Sequence, residues 1–149
     1  MRLKIETKVF ARLDKVSRGF NQQLFKALNP PFPPVKLLEF GGCEKGDRVV
    51  LELNFLLFKQ IWQSGITDHG ESEREWYFVD EGVKLPFFLK TWRHRHVVQS
   101  TNTGSVIIDD IQFSTGTIVT DFIMYPVLFA QFLYRKPVYK KVFKQKEQP

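Results

Sequence analysis

The stretch "TWRHRH", Thr91 to His96, sets two of the three histidines two residues apart, behind a tryptophan and interleaved with arginines. In an extended strand, side chains two apart share a face. Trp92, His94, His96 and Val98 therefore point one way, and Arg93, Arg95, Val97 and Gln99 the other. The arginine face suits water, which aims the indole and both imidazoles at a covered interior. Imidazole moves protons near neutral pH and is the commonest metal ligand. In the following stretch, "GSVIIDDIQF", Ile107, Asp109, Ile111 and Phe113 share a face that is apolar except for Asp109. A buried carboxylate without a partner is costly or changes its protonation. The nearest partner by sequence is a histidine of the adjacent strand.

Three uses of this group compete. It can be a structural His–Asp hydrogen-bond network on an inner wall, the reading to which most buried polar groups belong. It can supply polar anchors in a mainly apolar ligand pocket. Or His94 and His96 can join Asp109 around a metal, although no clear further ligand is visible in the sequence. A general acid–base enzyme would use His96 oriented by Asp109. The sequence contains no Gly-x-Ser-x-Gly elbow, no Cys–His pair supported by spacing and no nucleotide-binding loop. Cys43 is the only cysteine, so neither an intrachain disulfide nor a cysteine cluster for zinc is available. No metal or cofactor is expected, and the catalytic residues, if any, are left open. His69, in "TDHGESE", reads as a solvated loop residue.

The elements that must position these residues follow from periodicity. "RLKIETKVF" alternates, with Leu3, Ile5, Thr7 and Val9 on one face, and predicts a half-buried first strand. Leu13, Val16 and Phe20, then Leu24, Phe25 and Leu28, switch to helical spacing and predict two short helices broken at Gly19 and Asn21. "NPPFPP" ends that segment, because proline lacks a donor and restricts the residue before it. About six strands follow, joined by turns; in "EREWYFVDEG", Trp76 and Phe78 oppose Tyr77 and Val79. "TNTG" joins the histidine strand to the Asp109 strand as a hairpin. From an N-cap at Thr120 or Asp121 runs a long C-terminal helix, with Pro126 in its first turn and Pro137 kinking it or ending its first half. The first half is apolar nearly all round and should be covered on more than one side. The expected fold is α+β, one domain over residues 1–149, with an antiparallel sheet and helices segregated to one side.

Composition narrows function. Fifteen phenylalanines point to a bulky core or a greasy cavity. The net charge of +6 invites nucleic acid. Much of the excess sits at Arg135, Lys136, Lys140, Lys141, Lys144 and Lys146, opposed only by Glu147, which reads as a solvated helix end. No zinc-finger, RNP-like or phosphate-loop motif accompanies it, so no nucleic-acid partner is expected. The N-terminal stretch lacks the apolar run of a signal peptide, and Phe122 to Tyr134 is too short to span a bilayer. A soluble, cytoplasmic protein is expected, with its oligomeric state left open.

Several stretches together resemble the SRPBCC superfamily, which includes START, birch-pollen-allergen and CoxG-like domains, and within it the small bacterial ligand-binding or cyclase/dehydrase-like members. "LNPPFPPVKLLEFGG" and "KGDRVVLEL" are similar to the family's passage from helix pair to central strands. "WYFVDEGVKLPFFLKTWRHRHVVQ" is similar to its Phe-Val-Asp-Glu strand, loop and Trp-x-His-x-His strand. "GSVIIDDIQF" is similar to its following strand, with the family's aspartate at Asp109, Ile111 in place of valine and Phe113 in place of tyrosine. The resemblance covers nearly the whole chain. It implies a helix-grip fold: a curved antiparallel sheet wrapped around a long C-terminal helix, two short helices after the first strand, and a hydrophobic cavity between sheet and helix. It leaves the chemistry open, since one fold hosts many functions.

The expected cavity wall comprises Trp62, Phe87, Phe88, Trp92, His94, His96, Asp109, Phe129, Phe132 and Leu133. Ordinary core packing competes at each aromatic position. Phe87 and Phe88 lie outside regular elements and suit a lid. The leading expectation is a non-enzymatic module binding or carrying a small hydrophobic ligand such as a lipid, isoprenoid or polyketide-like molecule. Its rivals are a cyclase or dehydratase using His94 or His96 with Asp109, and a peripheral membrane module. The last would press the basic C-terminal helix weakly on anionic lipid, with Val138, Val142 and Phe143 dipping in.

Overall fold

A computed structural model describes residues 1–144. Strand β1 (Arg2–Val9) is followed by helices α1 (Leu13–Arg18) and α2 (Gln22–Ala27). Six strands come next: β2 (Val35–Phe40), β3 (Arg48–Asn54), β4 (Lys59–Glu71), β5 (Glu75–Lys84), β6 (Thr91–Thr101) and β7 (Gly104–Ser114). Helices α3 (Ile118–Leu133) and α4 (Arg135–Val142) complete the described chain. All neighbouring strands are antiparallel in the order β1-β7-β6-β5-β4-β3-β2. The two helices between β1 and β2 carry the chain across the sheet, so strands adjacent in sequence stand at opposite edges. No helix among the described residues is long and apolar enough to cross a membrane.

Local sequence explains the elements. β1 alternates strictly, with Leu3, Ile5, Thr7 and Val9 buried. Gly19 closes α1, and the side chain of Asn21 caps α2 by accepting a hydrogen bond from the Leu24 amide at 3.0 Å. His69 lies within β4 rather than in a loop, its ring packed near Trp76 and Nδ1 3.4 Å from Glu44. Cys43 is half-buried; its thiol reaches the Phe20 carbonyl at 3.6 Å, and burial, aided by Asp47, pushes its pKa up to about 12.

The C-terminal helix departs from expectation in three ways. Its N-cap is Thr117, whose hydroxyl accepts from the Thr120 amide, while the Asp121 carboxylate takes the amide and hydroxyl of Thr115. Pro126 consequently sits inside α3 rather than in its first turn. It removes the donor for the Phe122 carbonyl, a loss that water can make good because this face is exposed. That exposure is the third difference: Ile118, Val119, Phe122 and Ile123 all face outward, Phe122 with 66% of its surface accessible. Apolar residues all round the helix do not mean cover all round. Pro137 acts as expected, since α3 ends at Leu133 and α4 starts at Arg135, with proline in its first turn.

Candidate functional site

Strand β6 lies between β5 and β7, and its register sets His94 opposite Asp80 and His96 opposite Asp109. The close contacts run diagonally instead. His94 Nε2 lies 2.9 Å from Asp109 Oδ1, and His96 Nε2 lies 2.8 Å from Asp80 Oδ2. Diagonal neighbours across strands are within reach of long side chains. The directly opposite atoms are farther apart: His94 Nδ1 is 3.5 Å from Asp80 Oδ2, and His96 Nδ1 is 3.7 Å from Asp109 Oδ1. The two imidazoles thus lie against each other, centroids 3.5 Å apart and tilted by 32°, between two carboxylates.

Surrounding groups fix this arrangement. The Trp92 indole donates to Asp80 Oδ1 at 3.0 Å, and Trp62 packs edge-on against Trp92 while donating to Ser64. Phe78 stacks on His96 at 4.2 Å. From the helix side, Arg135 Nη1 and the Tyr139 hydroxyl each approach Asp109 Oδ1 at 3.4 Å, and the Arg135 guanidinium lies 4.2 Å above the Phe132 ring. Asp109 Oδ2 and His96 Nδ1 are buried without a hydrogen-bond partner among the described residues.

The charges follow from these contacts. Burial alone would raise the Asp109 pKa, but the His94 hydrogen bond and the Arg135 charge outweigh it and hold the carboxyl at about 2. Burial likewise opposes ionisation of Asp80; the hydrogen bond from His96 and the proximity of His94 reverse the balance and lower its pKa. His96 is lowered to about 4, first by burial and then by the neighbouring His94, so its ring is neutral at physiological pH. Facing an ionised Asp80, the neutral ring carries its proton on Nε2, an assignment made from the hydrogen bond. Burial and the Asp109 charge push the Tyr139 phenol upward, so it stays protonated and donates.

A cavity of about 640 Å³ adjoins the cluster. α3 rests against β1 and β7, leaving the concave sides of β3 and β4 as the far wall. That wall comprises Val49, Leu51 and Leu53 with Trp62, Ser64 and Ile66. Met124, Val127, Leu128 and Phe132 form the helical side, and Phe55, Phe87 and Phe88 the loop side. Asp80, His94, His96 and Arg135 supply its charged and titratable groups.

Seven residues of the expected wall line this space: Trp62, Phe87, Phe88, Trp92, His94, His96 and Phe132. Three do not. Asp109 lies behind the histidines, while Phe129 and Leu133 point outward with 39% and 44% of their surfaces accessible. A helix apolar on every side gave no phase by which to choose its inner stripe. The basic helix end is also more than a solvated charge run. Arg135 meets Asp109, and Lys136 donates to the Glu6 carbonyl at 2.9 Å. Lys146 and Glu147 lie outside the described residues. Val138 and Phe143 pack in the core, leaving only Val142 of the three residues expected to dip into lipid exposed. Asp80 was absent from the sequence-based wall, although the alternation Trp76, Phe78, Asp80 places it on the inner face. Tyr139 was hidden in the amphipathic pattern of the helix end.

Asp80, His94 and His96 each offer a donor atom, all within 4.8 Å of one another. The cluster can therefore stabilise the wall, hold a polar ligand group or accept an ion.

No family model matches the chain, and no curated protein matches it. Solved structures do. The di-domain aromatase/cyclase from the steffimycin biosynthetic pathway aligns with 95% of the chain at 13% identity and a TM-score of 0.69. The chain spans 50% of that protein's length. A protein from Mycobacterium smegmatis matches 99% of the chain and 93% of its own at 12% identity, with a TM-score of 0.70. A norcoclaurine synthase point mutant from Thalictrum, in complex with a transition-state analogue, matches 96% of the chain and 93% of its own at 13% identity, with a TM-score of 0.68. At such identities the shared property is architecture: the chain has the helix-grip fold of these structures, the fold that its sequence resemblance implies.

Proposed function

We propose that the protein binds a small, mainly apolar molecule of the lipid, isoprenoid or polyketide-like aromatic class between the sheet and α3. The observation that carries this reading is the 640 Å³ cavity, walled by aliphatic and aromatic side chains with charged groups gathered at one end. Its size falls in the range of small-molecule sites. Each 100 Å² of ligand carbon removed from water contributes about 2.5 kcal/mol before the costs of association. Arg135 holds Asp109 through one long contact and so retains donors for a ligand oxygen. Phe87, exposed beside Phe55, Phe58 and Phe88, is suited to closing over the ligand. Binding in a neighbour of the same fold, the Thalictrum norcoclaurine synthase in complex with dopamine and hydroxybenzaldehyde, supports the aromatic option.

Native mass spectrometry of gently purified protein, followed by titration with fatty acids and small aromatics, tests the reading. The wild type should bind members of this panel. Leu51→Trp, which projects a ring into the cavity, should weaken binding at least tenfold while leaving the circular dichroism unchanged. A wild-type protein that refuses the whole panel would overturn the proposal.

A cyclase- or dehydratase-type reaction is the second reading, favoured by the fact that both imidazoles line the cavity. His96, with a pKa of about 4, is a weak base at neutral pH. His94 is therefore the residue to replace. Turnover of an enolisable apolar substrate, abolished in His94→Gln without loss of ligand affinity, would establish catalysis; absence of turnover across such substrates would leave binding alone.

A further inference from the structure

We propose that Asp80, His94 and His96 form a binding site for one divalent first-row transition-metal ion on the wall of the cavity. Sequence pattern directed attention to Asp109 as the carboxylate partner; the fold supplies a different one. Asp80 Oδ2 lies 2.8 Å from His96 Nε2 and 3.5 Å from His94 Nδ1. Two donors each about 2.1 Å from a common ion stand roughly 3.0–3.4 Å apart at octahedral to tetrahedral angles. These two separations bracket that range, and all three donor atoms lie within 4.8 Å of one another, so side-chain adjustment would bring them onto one ion.

The outer contacts fit ligation as well. Metal-bound histidines characteristically give their second nitrogen to a carboxylate, and metal-bound carboxylates are themselves hydrogen-bonded. His94 Nε2 meets Asp109 Oδ1 at 2.9 Å, which leaves Nδ1 on the side of Asp80, 3.5 Å from Oδ2. Trp92 occupies Asp80 Oδ1 and leaves Oδ2 for the ion. Arg135 approaches the outer carboxylate, Asp109, rather than the inner one. Independently, Asp109 Oδ2 and His96 Nδ1 are buried polar atoms without partners among the described residues. Two carboxylates, Asp80 and Asp109, flank the pair of rings, and Arg135 reaches only Asp109, so a dication would meet negative charge on both sides. Ligation through His96 Nε2 takes the other tautomer of the neutral ring, its proton moving to Nδ1, 3.7 Å from Asp109 Oδ1, with no net loss of a proton.

Two nitrogens and one oxygen suit Zn²⁺, Co²⁺, Ni²⁺ or Fe²⁺ better than Mg²⁺ or Ca²⁺, which take oxygen ligands. Three protein ligands leave positions open. Because all three residues line the cavity, those positions face any molecule within it. An ion here would hold a ligand's carbonyl, enol or carboxylate oxygen. The inference does not require the cavity to bind a particular apolar molecule.

The test uses the full chain, stripped with chelator and dialysed separately against Zn²⁺ and Co²⁺. Elemental analysis should find one ion per chain, and bound Co²⁺ should show the stronger visible absorption of a site with fewer ligands than the aqua ion. Asp80→Asn and His94→Gln should each lower affinity at least tenfold, whereas His69→Gln, at the surface His69–Glu44 pair, should not. Sub-stoichiometric uptake, an aqua-like Co²⁺ spectrum or dependence on His69 would overturn the proposal. The wild-type spectrum decides the matter if a site variant fails to fold. Binding of a fluorescent apolar probe, followed in parallel, separates failure of the metal site from failure of the cavity reading.

Discussion

The space beneath the sheet is packed solid at one end and hollow at the other. At the packed end, α4 lowers Tyr139 and Phe143 onto Phe20, whose ring also meets Trp76 and Phe78 at centroid distances of 5.2 and 5.9 Å. Val16, Leu24 and Leu28 of the α1–α2 segment close the gaps. At the hollow end, α3 leans on β1 and β7 through Leu128 and Phe132 and sends Phe122 and Ile123 outward. Opposite β3 and β4 the described side chains line the cavity rather than meet across it. The single-residue break at Tyr134 separates the two behaviours. Ring count alone therefore does not distinguish a dense core from a cavity; the contacts each helix makes do.

The largest effect should come from the packed end. Tyr139→Ala, at a site with no accessible surface, should cost about 3–5 kcal/mol in urea unfolding, the range for deleting a buried ring. Leu51→Ala on the hollow side should cost about 1 kcal/mol or less, because its neighbours already leave space. Equal losses would erase the distinction.

Acidification should have an intermediate effect and acts where the two ends meet. His96 stacks on Phe78 of the packed end and faces the cavity with His94, between Asp80 and Asp109. Its pKa is lowered from an ordinary 6.5 to about 4, so the unfolded chain binds this proton more readily than the folded one. The contribution is fully present above pH 6.5 and is lost as pH falls through 4. Urea midpoints of metal-free protein should decline across that window, and His96→Gln should flatten the decline. A steeper dependence in the variant would refute the assignment of a neutral ring.

The smallest effect should be on the outer face of α3. Phe122→Ser should alter stability by no more than about 0.5 kcal/mol, since the ring is already in water. A larger loss would mean that this ring packs more closely in solution.

Strand chemistry was readable before the fold because a period of two allows only two faces. Thr91–Gln99 announced that Trp92, His94 and His96 look inward, and β1 alternated without exception. The same rule reaches Asp80 from Trp76 and Phe78, but an acidic residue near a strand end also reads as the start of a turn. Helical residues were harder. Arg135 and Tyr139 converge on Asp109 from beyond the Tyr134 break, and no periodicity carries phase across such an interruption. The sequence names seven residues of the cavity wall but not the extent of the space. That extent depends on how α3 is seated, a rigid-body property to which many residues contribute a little.

The muted sulfur beneath Phe20 has a practical corollary. With its thiolate suppressed to a pKa of about 12, Cys43 should ignore maleimides at neutral pH. A cysteine introduced at exposed Leu57, in the loop between β3 and β4 two residues from Phe55 of the cavity wall, would then accept a dye essentially alone, giving a reporter near the cavity without first removing the native thiol.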